Sequence, residues 1–503
     1  MKNDSLFRLI KALDKGQLRY CRQALAMAQG DMTESRLAVF DQLYSMTEYD
    51  ADALKNAVEN LPIARNLAVE KVRLFGQLLG HLKTLNQIRL PANDPYIKLE
   101  EARVLLELSL YDEAREAVLK GLHAAVAMED LFAEVPLRET LRLIYKNMNS
   151  QELTNVVTEN EYLAETASMK LATLIRYTHI NDRAYDYLRR YRVTDDEAKK
   201  RGMEDLIKLP ELTDIKRANS LPAQLRFYYV WNCYHSSRNE LDLAVEMAQK
   251  ILHLQESNPV RLKRYGHYYF SSLSNLVGKL ILHKRFDEVP PLLEKMKSVN
   301  VIGRRAEIEK FINVELYHQL YFMNLGKLDE ATAREEGIVA GLRRFGSRVN
   351  NSRKLTLMYN LGITHLINDD PRSAYRWFNR IKDLGELPER KDLQGVSRLL
   401  RLLLLSDPTH NTNVGHFLRS GKRFFSKEQS SYQLEDTVYD WLFEHHRITG
   451  IVERKESLQQ FSSLLEPHVE KGLLGAEEML IWTEAQVRGV LCLQVYKERT
   501  GLN

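Results

Sequence analysis

The feature that most limits what this chain can become is a period. Four small residues, Ala244, Val289, Ala331 and Ala374, stand at intervals of 45, 42 and 43, each near the start of the second of two amphipathic segments. A helical hairpin cannot bury its apolar face alone and stacks on copies of itself, so regular spacing of this length marks a stacked array. Ala114 opens a similar segment 130 residues before Ala244, close to three units, so two degenerate hairpins are expected across 140–215. Glycine (23) and proline (13) are scarce in 503 residues, which disfavours an all-β or loop-rich fold because tight turns demand them. The expected class is therefore all-α.

The first ninety residues carry a different pattern. Helical periodicity runs through 6–13, 16–28, 35–44, 50–59 and 63–88, and in the last of these Leu67, Leu74, Leu78, Leu82 and Leu85 form one apolar stripe. Gly76 and Gly80 interrupt that helix at a spacing of four, which reads as room for a neighbouring helix. The stretch from Arg89 to Pro95, with two prolines, ends the segment. The expected division is an N-terminal helical bundle at 1–90, degenerate hairpins at 96–220, repeats at 221–390 and further hairpins at 391–503. The helices expected in the last region span 393–405, 413–425, 432–446, 456–468 and 476–499.

The repeated phrases resemble the tetratricopeptide repeat. The unit at 355–385 places Leu361, Gly362, Ala374 and Phe378 at the offsets of that family, with His365 where an aromatic is usual. The unit at 312–342 retains Gly326 and Ala331, and the unit at 95–125 retains Ala102, Tyr111 and Ala114. A spacing near 43 exceeds the 34 residues of the standard repeat, so helices or connections must be longer here. The opening phrases LDKGQLRY at 13–20, FDQL at 40–43, YD at 49–50 and NLAV at 66–69 are similar to those of bacterial tetratricopeptide-like proteins without an assigned function. The resemblance implies an α-solenoid that presents a curved surface to a protein or peptide, and it implies no activity.

Charge and cysteine usage narrow the function classes. The 72 basic and 68 acidic residues leave a net charge of +4, without the strong excess of a dedicated nucleic-acid binder. Cys21, Cys233 and Cys492 are isolated, so neither a disulfide framework nor a zinc cluster is expected, and a reducing cytoplasm fits. The N-terminus lacks the pattern of a secretory signal, and the most apolar run, 399–405, contains Arg401 and is far too short for a membrane span. No phosphate-binding loop, dinucleotide fingerprint, nucleophile elbow or metalloprotease motif occurs. Glu315 and His318 have a metal-ligand spacing that occurs once, and the adjacent His445 and His446 diverge on a helix, so no metal is assigned. The expectation is a non-enzymatic protein without cofactor, of undetermined oligomeric state.

Two stretches carry candidate binding residues. The aromatic runs FYYVWNCY at 227–234 and YGHYYF at 265–270 lie on first helices of successive hairpins, the side that lines the concave face in repeats of this type. Tyr228, Trp231, Arg264, Tyr268 and Tyr269 are the candidate peptide groove, flanked by Arg261 and Lys263. The runs 341–354 and 419–427 carry five and four cations, and Arg343, Arg344, Arg348, Lys422 and Arg423 are a candidate basic edge. Interleaved arginines and aromatics suit single-stranded nucleic acid, which makes a nucleic-acid-associated or regulatory protein the alternative function. The same features serve structure equally well, since cations complement a helix C-terminus, Gly346 can end a helix and Phe424 and Phe425 can pack inward.

Overall fold

The computed structural model describes residues 4–28, 30, 32–148, 154–191, 197–387, 390–406 and 433–502. Among the described residues every regular element is helical. The chain forms two compact units, Met1–Ile175 and Arg176–Asn503, and the boundary falls inside one continuous helix.

In the first unit, α1 (Ser5–Ala12), α2 (Lys15–Met27), α3 (Thr33–Ser45), α4 (Ala51–Ala57) and α5 (Leu67–Arg89) share one core. Leu6, Ile10, Cys21, Phe40, Leu43, Leu54, Leu74 and Leu78 fill it. Glu70 is buried in this region and held by Arg36 and Arg73 at 2.7 and 2.6 Å. Among the described residues, Val69, Val72, Gly76, Leu79 and Gly80 of α5 are exposed. Among the described residues nothing lies within 4 Å of where a Cβ would sit on Gly76 or Gly80, so no neighbouring helix uses the room they provide. A second core joins α6 (Pro95–Glu107), α7 (Tyr111–Ala127) and α8 (Leu131–Met148) through Leu99, Ala114, Val118, Leu137 and Ile144.

The stretch expected to hold two degenerate hairpins is instead dominated by one helix of 38 residues, α9 (Thr154–Tyr191). Its sequence contains neither glycine nor proline, so nothing interrupts the hydrogen-bond ladder.

In the second unit, α10 (Glu197–Ile207) is followed by α11 (Leu221–Ser237) paired with α12 (Leu241–Glu256), and then by the short α13 (Pro259–Arg264). Next come α14 (Gly266–Leu282) with α15 (Val289–Ser298), and α16 (Arg304–Asn324) with α17 (Leu328–Thr332) and α18 (Glu335–Phe345). The series continues with α19 (Asn351–Ile367) and α20 (Pro371–Ile381), α21 (Lys391–Leu405), α22 (Gln433–His445), α23 (Ile451–Glu470), α24 (Ala476–Arg488) and α25 (Cys492–Thr500). The expected helix at 413–425 lies outside the described residues. The expected single helix over 476–499 is divided, because Gly489 adopts a left-handed φ of 65° and ends α24.

The period read from the sequence has a local cause. The turn inside each hairpin carries one left-handed residue: Ser109, Asn239, Lys284, Gly326 and Asp369. Around each, the next N–H reaches back five residues, as from Glu240 to His235, Arg285 to Leu280, Lys327 to Phe322 and Asp370 to His365. This is the hydrogen bond of a Schellman turn, which satisfies a carbonyl that the ending helix leaves orphaned. The register residues Ala114, Ala244, Val289, Ala331 and Ala374 follow five positions later and are all fully buried. A small side chain there lets the two helices approach. Gly362 serves the same end, since a Cβ on it would lie 2.5 Å from the Phe378 ring.

The cores pass along the chain. Val314 of α16 belongs to a cluster with α12, α14 and α15, while Ile312 of the same helix belongs to one with α18, α19 and α20. The last cluster departs from a simple succession. α24 and α25 return to α19, bringing Met479, Leu480, Trp482 and Val495 into one core with Tyr359, Ile363 and Phe378. Asp369, the left-handed residue of the 351–381 hairpin, accepts from the backbone N–H of Cys492 at 2.8 Å and so caps α25 across 123 residues. The Tyr496 hydroxyl donates to the Met323 carbonyl at 2.8 Å. No helix among the described residues is long and apolar enough to cross a membrane.

Candidate functional site

Helix α11 presents two aromatic faces, and the one that carries Tyr229 meets the next hairpin at Ser272. Pro222, Leu225, Arg226 and Tyr229 fall at helical spacing. With Gln255 of α12, Arg261 and Leu262 of α13, and Tyr265, Tyr268 and Tyr269 at the start of α14, they line a cavity of about 60 Å³. The inserted α13 builds this wall. Pro259 opens it, and the Asn258 side chain caps it by accepting from the Arg261 N–H at 2.9 Å. α14 can begin so close by because Gly266 has no Cβ; one would stand 2.3 Å from the Asn300 carbonyl oxygen. In the 244–289 interval alone, the insertion contributes to the excess over a standard repeat length.

The cavity is electrostatically one-sided. Two guanidiniums line it, each resting on a tyrosine ring: Arg226 over Tyr229 at 5.9 Å and Arg261 over Tyr265 at 4.9 Å. Its described lining contains no carboxylate. The adjacent acid in the sequence, Glu256, is engaged by the Tyr269 hydroxyl and by Lys295 at 2.9 Å. Burial acts to raise the Glu256 carboxyl, but these two partners outweigh it and hold the group below its ordinary value.

A hydrogen-bond chain runs behind Gln255. The Ser272 hydroxyl donates to the Tyr268 carbonyl at 3.1 Å, so it accepts from the Tyr229 hydroxyl 2.6 Å away. Gln255 is 7% exposed, and its Oε1 is left buried without a partner. Burial raises the Tyr229 hydroxyl above its ordinary range, keeping it neutral within these hydrogen bonds.

The structure distributes the candidate groove residues over different surroundings. Tyr268, 49% exposed, stands at the cavity edge, whereas Tyr269 is 7% exposed and contributes its ring to the core. The Arg264 guanidinium lies over the Tyr265 ring at 5.8 Å. Tyr228 and Trp231 occupy the other face of α11, in a ladder with Phe227, Tyr234 and His235; Trp231 stacks on His235 at 5.6 Å. Arg226, Tyr229, Gln255 and Tyr265 were not singled out from the sequence. Periodicity shows that a helix has an apolar face, but two aromatic faces about 100° apart look alike until a neighbour chooses between them.

Of the candidate basic edge, Arg343 and Arg344 lie in the last turn of α18, and Arg348 follows in a short turn. Arg344 rests on the Phe345 ring at 5.0 Å, opposite Arg304 at 4.8 Å, and lies 3.7 Å from Glu307. Arg343 is exposed. Gly346 ends the helix with φ of 58°. Lys422, Arg423, Phe424 and Phe425 lie outside the described residues.

The pair with metal-ligand spacing is engaged otherwise. Glu315 binds Arg334 through two hydrogen bonds of 2.9 and 2.7 Å, and His318 Nδ1 donates to the Val314 carbonyl at 2.7 Å. His445 is buried, stacked on Trp441 at 4.4 Å and bonded to Ser457 Oγ at 2.9 Å. Burial pushes its imidazole down to about 4, so it is neutral at physiological pH. The described residues contain no group of three His, Cys, Asp or Glu side chains placed to hold a metal ion. Burial raises all three thiols, Cys21 and Cys233 to about 11 and Cys492 to about 12, the opposite of an activated nucleophile. Compared with known proteins, the chain matches no protein-family model and no curated protein.

Proposed function

We propose that this protein is a non-enzymatic interaction protein of the cytoplasm, built as an α-solenoid of tetratricopeptide-like hairpins behind an N-terminal helical bundle, and that it recognises a protein or peptide. The successive cores and the repeated Schellman turn support the solenoid reading. The observation that carries the functional reading is the cavity between α11 and α13–α14. It offers two ring-supported guanidiniums, no carboxylate in the described lining and an exposed tyrosine at its edge. Arginine and tyrosine are the residues that anchor interfaces, since each brings a large, stiff contact area with a polar tip. An acidic segment of a partner fits that chemistry.

The test places a photo-crosslinking amino acid at Tyr268 in the full chain and compares it with the same chain carrying Arg226→Glu. The expected result is a discrete crosslinked partner that disappears with the charge reversal. Identical crosslinks from both chains would show that contacts form without the cavity and would refute the assignment.

A further inference from the structure

We propose that a second cavity, between the end of α22, the first turn of α23 and the end of α24, binds a small organic acid: a carboxylate carried on an apolar body. The cavity measures about 510 Å³, within the range of small-molecule sites. Its described lining divides into a donor end and an apolar wall.

The donor end is built around His445. The Ser457 hydroxyl oxygen accepts from the Trp441 indole N–H at 3.0 Å and lies 2.9 Å from His445 Nδ1. Among the described residues the serine proton has no other acceptor, so Ser457 donates to Nδ1 and the imidazole carries its hydrogen on Nε2. The ring is 4% exposed and lines the cavity, and its Nε2–H meets no acceptor among the described residues. Arg454 and Lys455 bring two positive charges to the same lining. Arg454 gives one hydrogen to the Ser406 carbonyl at 3.4 Å, and among the described residues its Nε has no partner. The third cation of the lining, Arg488, is taken by Glu498 through hydrogen bonds of 2.6 and 3.0 Å. The described lining contains no carboxylate, and the acid in the first turn of α23, Glu453, turns back against Gly450. Donors and cations gathered without an acid are the surroundings of an anion.

The apolar wall decides which anion. Leu458, Trp482 and Val487 line the same space, and Ile451, 87% exposed, belongs to its rim. An inorganic ion would leave that wall wet, whereas an aliphatic or aromatic body covers it. The fixed donors are also few. One imidazole N–H and part of one guanidinium match the two oxygens of a carboxylate better than the three of a phosphate.

The experiment is calorimetric titration of the full chain with octanoate, octanamide, acetate, inorganic phosphate and an aspartate-rich peptide. Octanoate is expected to bind, octanamide at least about tenfold more weakly, and acetate and phosphate about a hundredfold more weakly or less. Arg454→Gln and Ile451→Glu are each expected to weaken octanoate roughly tenfold or more, while Arg226→Gln at the other cavity leaves it unchanged. Ile451 is exposed, so unchanged thermal unfolding of Ile451→Glu establishes that its loss is local. Absence of octanoate binding overturns the proposal, as does unchanged octanoate affinity in either Arg454→Gln or Ile451→Glu. Octanamide binding as tightly as octanoate overturns the charge recognition, and acetate or phosphate doing so overturns the apolar body. The aspartate-rich peptide matching octanoate, and losing its affinity in Arg454→Gln, overturns the small molecule as the source of the carboxylate.

Discussion

Glu435 in α22 is the sharpest test of how the C-terminal core is built. It is 5% exposed, and among the described residues its Oε1 is buried without a partner and no cation neutralises it. Burial, with a smaller contribution from the neighbouring Asp436, raises its carboxyl from 4.5 to about 8. The folded chain therefore holds this proton throughout the range in which the unfolded chain has released it. Stability falls with rising pH wherever the native state binds the extra proton, here from the unfolded value near 4.5 up to about 8. Each unit of difference corresponds to ~1.4 kcal/mol, so the cost grows from under about 1 kcal/mol at pH 5 to roughly 3 kcal/mol at pH 7. Glu435→Gln keeps the volume and removes the titration. Denaturant unfolding of both proteins across about pH 5 to 8 is the assay, read as the difference between variant and wild type so that all other titrating groups cancel. The variant is expected to gain steadily over the wild type as pH rises, by about 2 kcal/mol between pH 5 and pH 7. A difference that stays flat, or that shrinks with pH, would refute the picture of a neutral acid enclosed in this core.

Four further outcomes follow from local geometry. Gly76→Ala should stabilise the first unit by about 0.5–1 kcal/mol, since a methyl there meets nothing within 4 Å and relieves the helix of a flexible residue; a destabilised variant in chemical denaturation would reveal a neighbour on that face. Gly341→Ala should cost about 1–3 kcal/mol, because its Cβ would lie 2.0 Å from the Phe311 ring and force α16 and α18 apart; an unchanged melting temperature would contradict this. Lys284→Gly should raise stability by up to about 1 kcal/mol by removing the left-handed strain at φ 57° in the 266–298 hairpin turn, and thermal unfolding reads it directly. Arg343→Glu combined with Arg344→Glu tests the basic edge: if single-stranded RNA binds there, affinity falls steeply with salt and with the double reversal, whereas unchanged affinity in a filter assay rules that surface out.

The residues singled out from the sequence divide by the range of the interactions that decide them. Helix positions were legible because propensity and a 3.6-residue period act within one turn. The interval of 42–45 was legible because each hairpin turn repeats the same backbone solution, a left-handed residue followed five positions later by a buried small one. The Leu-Gly phrase at 361–362 likewise announces a close approach, here to Phe378. Two longer-range readings fared differently. The spacing argument anticipated hairpins where an uninterrupted α9 runs, since a gap of three units says nothing about what fills it. The aromatic stripe of α11 drew attention to Tyr228 and Trp231, although the cavity opens on the face of Leu225, Arg226 and Tyr229.

Helix content, the turn chemistry and the repeating register thus belong to the chain's local chemistry, where each signal lies within a few residues of what it controls. The cavity does not. It exists because α13 is inserted between hairpins and brings Arg261 and Tyr265 against a face of α11, with Gln255 of α12 in the same wall. The return of α25 is of the same kind: Asp369 ends one hairpin turn and caps a helix 123 residues later, a partnership no pattern along the chain encodes. Which of two similar faces is covered, and which acid or amide is left without a partner, is settled only when distant segments compete for the same space.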